Sequence, residues 1–189
     1  LMVLNGTDSS GYRAASTSSV GGIAAYMLNK GQNIVEPSLL VTDGIFTDVS
    51  VDLDDIFVVV KRNIGGSDKY FVEVFDDDFT TDSGAQIVSG FSGTTYSGYS
   101  HLNGKTVDVI RDDIIDPQVS VASGNITVGD VPTSYIEAGL PFSINVTTNP
   151  VETRLPSGTI QGQKKRILEV SPVLYKTQNI TINGRKIPL

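Results

Sequence analysis

Ile56-Phe57-Val58-Val59-Val60-Lys61-Arg62-Asn63-Ile64-Gly65-Gly66-Ser67-Asp68-Lys69-Tyr70-Phe71-Val72-Glu73-Val74-Phe75 reads as a β-hairpin. The apolar, largely β-branched run 56–60 suits a strand, which continues to Arg62. Residues 63–68 hold a Gly-Gly pair, the residue type that supplies the positive φ a tight hairpin loop needs. Residues 70–75 make the return strand. There Tyr70, Val72 and Val74 face one way and Phe71, Glu73 and Phe75 the other, so neither face is purely polar. Burial on both faces, or an interface on one, accounts for such a strand.

The same language extends outward. Thr42-Asp43-Gly44 is a turn, residues 45–51 put Ile45, Thr47, Val49 and Val51 on one side, and residues 52–55 are a polar break. After a polar connection at 76–93, strand patterns recur at 106–111, 118–121, 126–128, 135–138, 142–147, 165–175 and 177–182, the last closing on Asn183-Gly184. In the 165–175 segment Leu168, Val170 and Leu174 share a face, and Pro172 argues for an edge position or a bulge. This cadence, with Gly, Pro, Asn and Asp between strands, predicts an all-β fold with little helix: an antiparallel sandwich or a partly open barrel of short strands and hairpin turns. Residues 1–40 differ. Residues 7–22, rich in Ser, Thr and Gly, read as a loop, and 23–31 as two helical turns ended by Gly31 or as a loosely ordered arm. The expected organisation is a linker or arm over 1–40 and a β domain over 41–189, either single or made of two small subdomains dividing near 95–100.

A hydrophobic fraction of 39% allows a packed core, and no apolar run approaches the ~18 residues of a spanning helix. Leu1–Leu4 passes at once into Asn5-Gly6-Thr7-Asp8, so no secretory signal is expected in this stretch. The start at Leu1 and the stop at Ile187-Pro188-Leu189, straight after a turn, lead us to expect a section of a longer chain. Cysteine is absent, which removes disulfides, thiolate nucleophiles and cysteine metal sites and fits folding in a reducing compartment. The net charge of −7 argues against a nucleic-acid-binding surface, which clusters Lys and Arg.

Candidate chemistry is sparse. Acids cluster at Asp52, Asp54 and Asp55, at Asp76, Asp77, Asp78 and Asp82, and at Asp108, Asp112, Asp113 and Asp116. Of these, Asp76, Asp78 and Asp82 are the candidate metal ligands, set against a solvated, strand-breaking loop, because the EF-hand pattern is missing. His101 is the lone histidine and no Gly-x-Ser-x-Gly elbow accompanies it, so a hydrogen bond to a turn is the expected role rather than a catalytic triad. Gly104-Lys105-Thr106 is not a phosphate loop, since Tyr99 stands where the earlier glycine belongs and a strand follows. The basic triplet Lys164, Lys165 and Arg166 suits an inter-subunit ion pair or DNA contact. Tyr96, Tyr99 and Tyr135 are a candidate sugar-stacking platform, weakened by the lack of tryptophan. No catalytic residue and no cofactor site are expected.

An ordered set of segments resembles the tail nozzle (tail tubular protein B) family of short-tailed bacteriophages over roughly residues 42–187. They are Thr42-Asp43-Gly44, Val49-Ser50-Val51, Ile56 to Arg62, Tyr70-Phe71-Val72-Glu73, Thr81-Asp82-Ser83, Ser97 to Val107, Gly139-Leu140-Pro141-Phe142 and Gln161-Gly162-Gln163-Lys164-Lys165-Arg166-Ile167. Asp112-Asp113-Ile114 departs from the family's usual Asp-Gly turn, and residues 1–40 have no counterpart. The resemblance implies a non-enzymatic section of a longer chain made in the host cytoplasm and placed in the virion tail. It implies a homo-oligomer, six copies in the family, that contacts other tail proteins and conducts DNA without reading its sequence. The alternative from a different class is a carbohydrate- or protein-binding β-sandwich module.

Overall fold

The computed structural model describes residues 2–4, 21–29, 31, 34–148, 154–155, 158–159, 166–174, 177 and 179–188. Among the described residues the fold is all-β and antiparallel, with no closed barrel, and the helical content is a single 3-10 turn at Ser100–Leu102. No helix among the described residues is long and apolar enough to cross a membrane.

Two compact units divide the chain, Leu1–Ile144 and Asn145–Leu189. In the first, β1 (Met2–Leu4), β2 (Gly22–Asn29) and β3 (Ile34–Leu40) form one sheet in that order, and β4 (Ile45–Asp52), β5 (Asp55–Ile64) and β6 (Ser67–Val74) a second. Then come β7 (Asp82–Ile87), β8 (Thr95–Ser97), β9 (Thr106–Arg111), β10 (Ile114–Ser120), β11 (Asn125–Thr127) and β12 (Ile136–Leu140). A four-stranded sheet runs β10-β9-β12-β7, while β8 and β11 pair separately. The described residues of the second unit hold two short ladders, β13 (Arg154–Leu155) with β14 (Gly158–Thr159) and β15 (Ile180–Ile182) with β16 (Arg185–Ile187).

The hairpin 56–75 is present as β5–β6, in unbroken register from Phe57↔Val74 to Ile64↔Ser67. Its loop is Gly65-Gly66, with φ of 62° and 83°, the left-handed pair of a type I′ turn that matches the twist of the strands. Asp112-Asp113 makes the same turn between β9 and β10 with φ of 52° and 66°, although neither residue is glycine. Asn183-Gly184 repeats it between β15 and β16.

Two apolar clusters fill the first unit. Ile23, Phe46, Val58 and Val60 form one, with Leu40, Val49 and Ile56 packed against it. Tyr96, Tyr99, Leu102, Val107, Val109, Val121, Ile126, Val128, Ile136, Ala138 and Leu140 form the other. In the second, the β8–β11 ladder and the 3-10 turn lie against the four-stranded sheet. All five residues of β12 are buried because β12 sits between β9 and β7.

Several expectations are corrected. Residues 22–29 are a strand, not helical turns. The arm expected over 1–40 contributes β2, and Ile23 sits in a core, because pairing with β3 and burial outweigh the helical preference of Ala24, Ala25, Met27 and Leu28. The loop expected at 7–22 lies outside the described residues except for residues 21 and 22. On β4 a bulge between Phe46 and Asp48 inserts Thr47, so Phe46 opposite Val60 and Val49 opposite Val58 share the core side. Ile45, Thr47, Val49 and Val51 therefore do not form one face. The packing changes character before 95–100, since Ala85 and Ile87 of β7 already belong with the second cluster. A boundary between compact units falls at Ile144, inside the stretch 41–189 expected as the β domain, and short ladders stand on both sides of it. Residues 142–147 and 166–174 join no ladder, and Phe142, Ile144, Val146, Leu168 and Val170 are exposed. Their alternation is strand-like, but an isolated strand without a hydrogen-bonding partner gains nothing from it.

Candidate functional site

Charged side chains occupy three knots in the first unit. The first is built on Arg62, whose side chain is wholly buried on the core side of β5. Its guanidinium forms a two-point pair with Glu73 of β6, including an Nη2–Oε2 contact of 3.1 Å. It also donates from Nε to the Asp43 carbonyl at 3.0 Å and from Nη2 to Thr42 Oγ1 at 2.7 Å. Thr42 donates onward to Asp82 Oδ2 at 2.5 Å, and Ser83 Oγ donates to Glu73 Oε1 at 2.8 Å. Burial pushes the Asp82 carboxyl up from its ordinary pKa, against the Thr42 hydrogen bond and the Arg62 charge. One cation thus faces two carboxyls where β5 and β6 meet the start of β7. Lys105 adds a second link from the 104–105 turn to the Asp43 carboxylate, 2.7 Å away.

The second knot is Glu137, buried on the face of β12 opposite Ile136 and Ala138. Its Oε1 accepts from Thr80 N at 2.9 Å, Thr80 Oγ1 at 3.1 Å and Thr81 Oγ1 at 2.8 Å. The next residue on that face, Gly139, leaves room for this loop: a Cβ there would lie 2.7 Å from the Asp82 carbonyl. In the third knot, Asp112 accepts from the backbone N–H groups of Thr133, Ser134 and Tyr135 and from the Thr133 hydroxyl. These bonds hold its carboxyl down to a pKa of about 2, the Thr133 N–H contributing most. They also explain how an aspartate holds a left-handed turn position that glycine usually takes. Beside it, Arg111 grips Asp116 through two contacts of 2.9 and 3.0 Å, and that hydrogen bonding raises the guanidinium pKa.

These contacts place the candidates from the sequence. Asp76, Asp78 and Asp82 do not converge: Asp76 accepts from the Asp78 N–H, whereas Asp82 turns to Thr42 and Arg62. No group of three or more metal-ligating side chains is assembled among the described residues. His101, on the 3-10 turn, donates from Nε2 to the Ser83 carbonyl at 3.0 Å, where β7 begins. Tyr96 and Tyr99 are buried core residues, and Tyr135 donates its hydroxyl to Asp113 Oδ1, so the three present no open sugar platform. Lys164 and Lys165 lie outside the described residues, and Arg166 is exposed. The Arg62 and Glu137 knots went unread. Arg62 carried a signal, since it shares the alternation of the core residues Val58 and Val60; Glu137 carried none.

The surface most suited to contact with a partner is the outer face of the β4–β5–β6 sheet. Register puts Phe57, Val59 and Lys61 of β5 beside Val74, Val72 and Tyr70 of β6 on this side. Tyr70 is 65% exposed, Val72 75% and Val74 48%. At one end the strip meets a shallow groove lined by Asp54, Asp55, Phe57, Phe75, Asp76 and Asp77. The strip is aromatic and β-branched, and carboxylates edge it at the groove. Compared with the sequence patterns of known protein families, the chain matches none. Compared with curated proteins, it again matches none.

Proposed function

We propose that this chain is a structural section of a bacteriophage tail nozzle. In that role it is a rigid β scaffold on which neighbouring copies and other tail proteins pack while DNA passes through the assembled tube. The observation that carries the scaffold reading is the exposed apolar strip Phe57, Tyr70, Val72 and Val74, with half-buried Val59 between them, on an otherwise regular hairpin. The assignment to the nozzle rests on the ordered segments from Thr42 to Ile167 that resemble that family. The charged knots support a passive role: buried Glu137 and Arg62 and half-buried Asp112 spend hydrogen bonds on the fold. The net charge of −7 suits a wall that repels phosphate, and no reaction or cofactor is assigned.

Electron microscopy of virions labelled with antibody against this chain tests the reading. Label at the end of the tail supports it. Label confined to another component, or virions without the chain, overturns it.

A further inference from the structure

We propose that β6 pairs edge to edge, antiparallel, with β6 of a second copy, in a register centred on Phe71. The edges of the β4–β5–β6 and β10–β9–β12–β7 sheets differ in how they are protected. β10 carries Pro117 and a bulge between Asp116 and Val119, β4 carries the bulge at Thr47, and β7 faces a register shift between Ala138 and Leu140. Bulges and prolines of this kind block pairing between molecules. β6 has eight residues, no proline and an uninterrupted register with β5.

The hairpin loop fixes which backbone groups of β6 turn away from β5. Ile64 and Ser67 close a two-residue loop, so their N–H and C=O groups point at each other. Alternation then turns Lys69, Phe71 and Glu73 toward β5 and leaves the N–H and C=O of Asp68, Tyr70, Val72 and Val74 facing outward. The bond from Phe75 N to Ile56 O, 3.0 Å, is in phase with this assignment. A two-fold axis normal to the sheet keeps each face on its own side, which restricts the register to centres at single residues. Centred on Phe71, Tyr70 and Val72 exchange backbone bonds with Val72 and Tyr70 of the second copy, which extends the apolar strip across the axis. Lys69 then stands opposite Glu73 of the second copy, twice by symmetry, at the closely spaced positions where side chains meet. Centring on Tyr70 sets Lys69 against Phe71, and centring on Val72 sets Asp68 against Asp76, so charge selects Phe71. Lys69 is exposed, and it would supply a second cation to the knot in which Arg62 alone faces Glu73 and Asp82.

This pairing is distinct from the contacts that would close a tube, because a two-fold axis inverts the second copy and so joins free chains or separate assemblies rather than neighbours in a one-way ring. The chain has no cysteine, so one introduced thiol reports one position. The full chain is expected to sediment at twice its 20.1 kDa mass at tens of micromolar. Under mild oxidation Phe71→Cys is expected to cross-link faster than Tyr70→Cys or Val72→Cys. Val72→Pro removes an N–H that faces away from β5, so it is expected to keep the far-ultraviolet spectrum and weaken self-association by at least about tenfold. A monomeric wild type, an undiminished Val72→Pro dimer, or faster linkage at position 70 or 72 overturns the pairing. A six-copy ring without linkage at 71 overturns it while leaving the conduit reading intact. A linked dimer from a chain absent from virions does the reverse.

Discussion

The Tyr99 hydroxyl is buried, and among the described residues it finds no hydrogen-bond partner. Burial, with the Glu137 charge nearby, pushes its pKa up to about 12. An unpaired buried hydroxyl costs more than the packing of a phenyl ring in its place, so Tyr99→Phe is expected to hold or raise stability by up to about 1–2 kcal/mol in urea titration. A clear loss would reveal a bond made by that hydroxyl. Asp112 tests the opposite sign. Its folded pKa of about 2 lies below the ordinary 3.8, so its stabilisation is complete above the ordinary value and is lost as pH falls through the folded one. The urea midpoints of wild type and Asp112→Ala are therefore expected to differ at pH 6 and to converge toward pH 2. At this scale the sequence was a poor guide. It marks Asp76, Asp78 and Asp82 as neighbours, but Asp82 answers to Arg62 and Thr42, which only the folded chain brings near. Tyr96 and Tyr99 look like exposed aromatics until the sheet covers them.

Hairpin loops are where strand pairing is decided. Gly65 and Gly66 both need left-handed backbone, which asparagine adopts readily and alanine does not. Gly65→Asn is expected to leave stability unchanged or raise it by about 0.5 kcal/mol through a stiffer unfolded chain, whereas Gly66→Ala lowers it by about 1 kcal/mol. Thermal or urea unfolding of the two variants checks the contrast. This hairpin was legible because a β-branched run, a glycine pair and an alternating return strand all agree. The strand at Gly22–Asn29 was not, because its alanines and long side chains favour a helix until β3 pairs with it. The face of β4 was misjudged through one inserted residue, which shifts every later side chain to the other side. Segments 142–147 and 166–174 show that alternation alone does not create a strand.

Across the first unit the two apolar clusters meet at a polar junction. Arg62 joins β5 and β6 to Thr42, Asp43 and Asp82, so its removal leaves Glu73 and Asp82 partly buried without their cation. Arg62→Ala is expected to lower stability by about 3 kcal/mol, read from the far-ultraviolet signal in urea. A change under about 1 kcal/mol would show the junction to be dispensable. The class of the fold was readable from turn spacing and strand length. The junction was not, since it joins residues 42, 62, 73 and 82, whose proximity depends on how the β5–β6 hairpin meets β7.

The place of β12 has a consequence for synthesis. β7 finds its sheet partner in a strand that begins at Ile136, and β9 is bounded on that side by the same late segment. A nascent chain leaving the ribosome therefore carries an open slot in its largest sheet until residue 140 has emerged, with Ala85, Val107 and Val109 waiting to be covered. Translation stalled before that point would yield an intermediate with sticky, unpaired backbone. A pause placed just after it would let the slot close first.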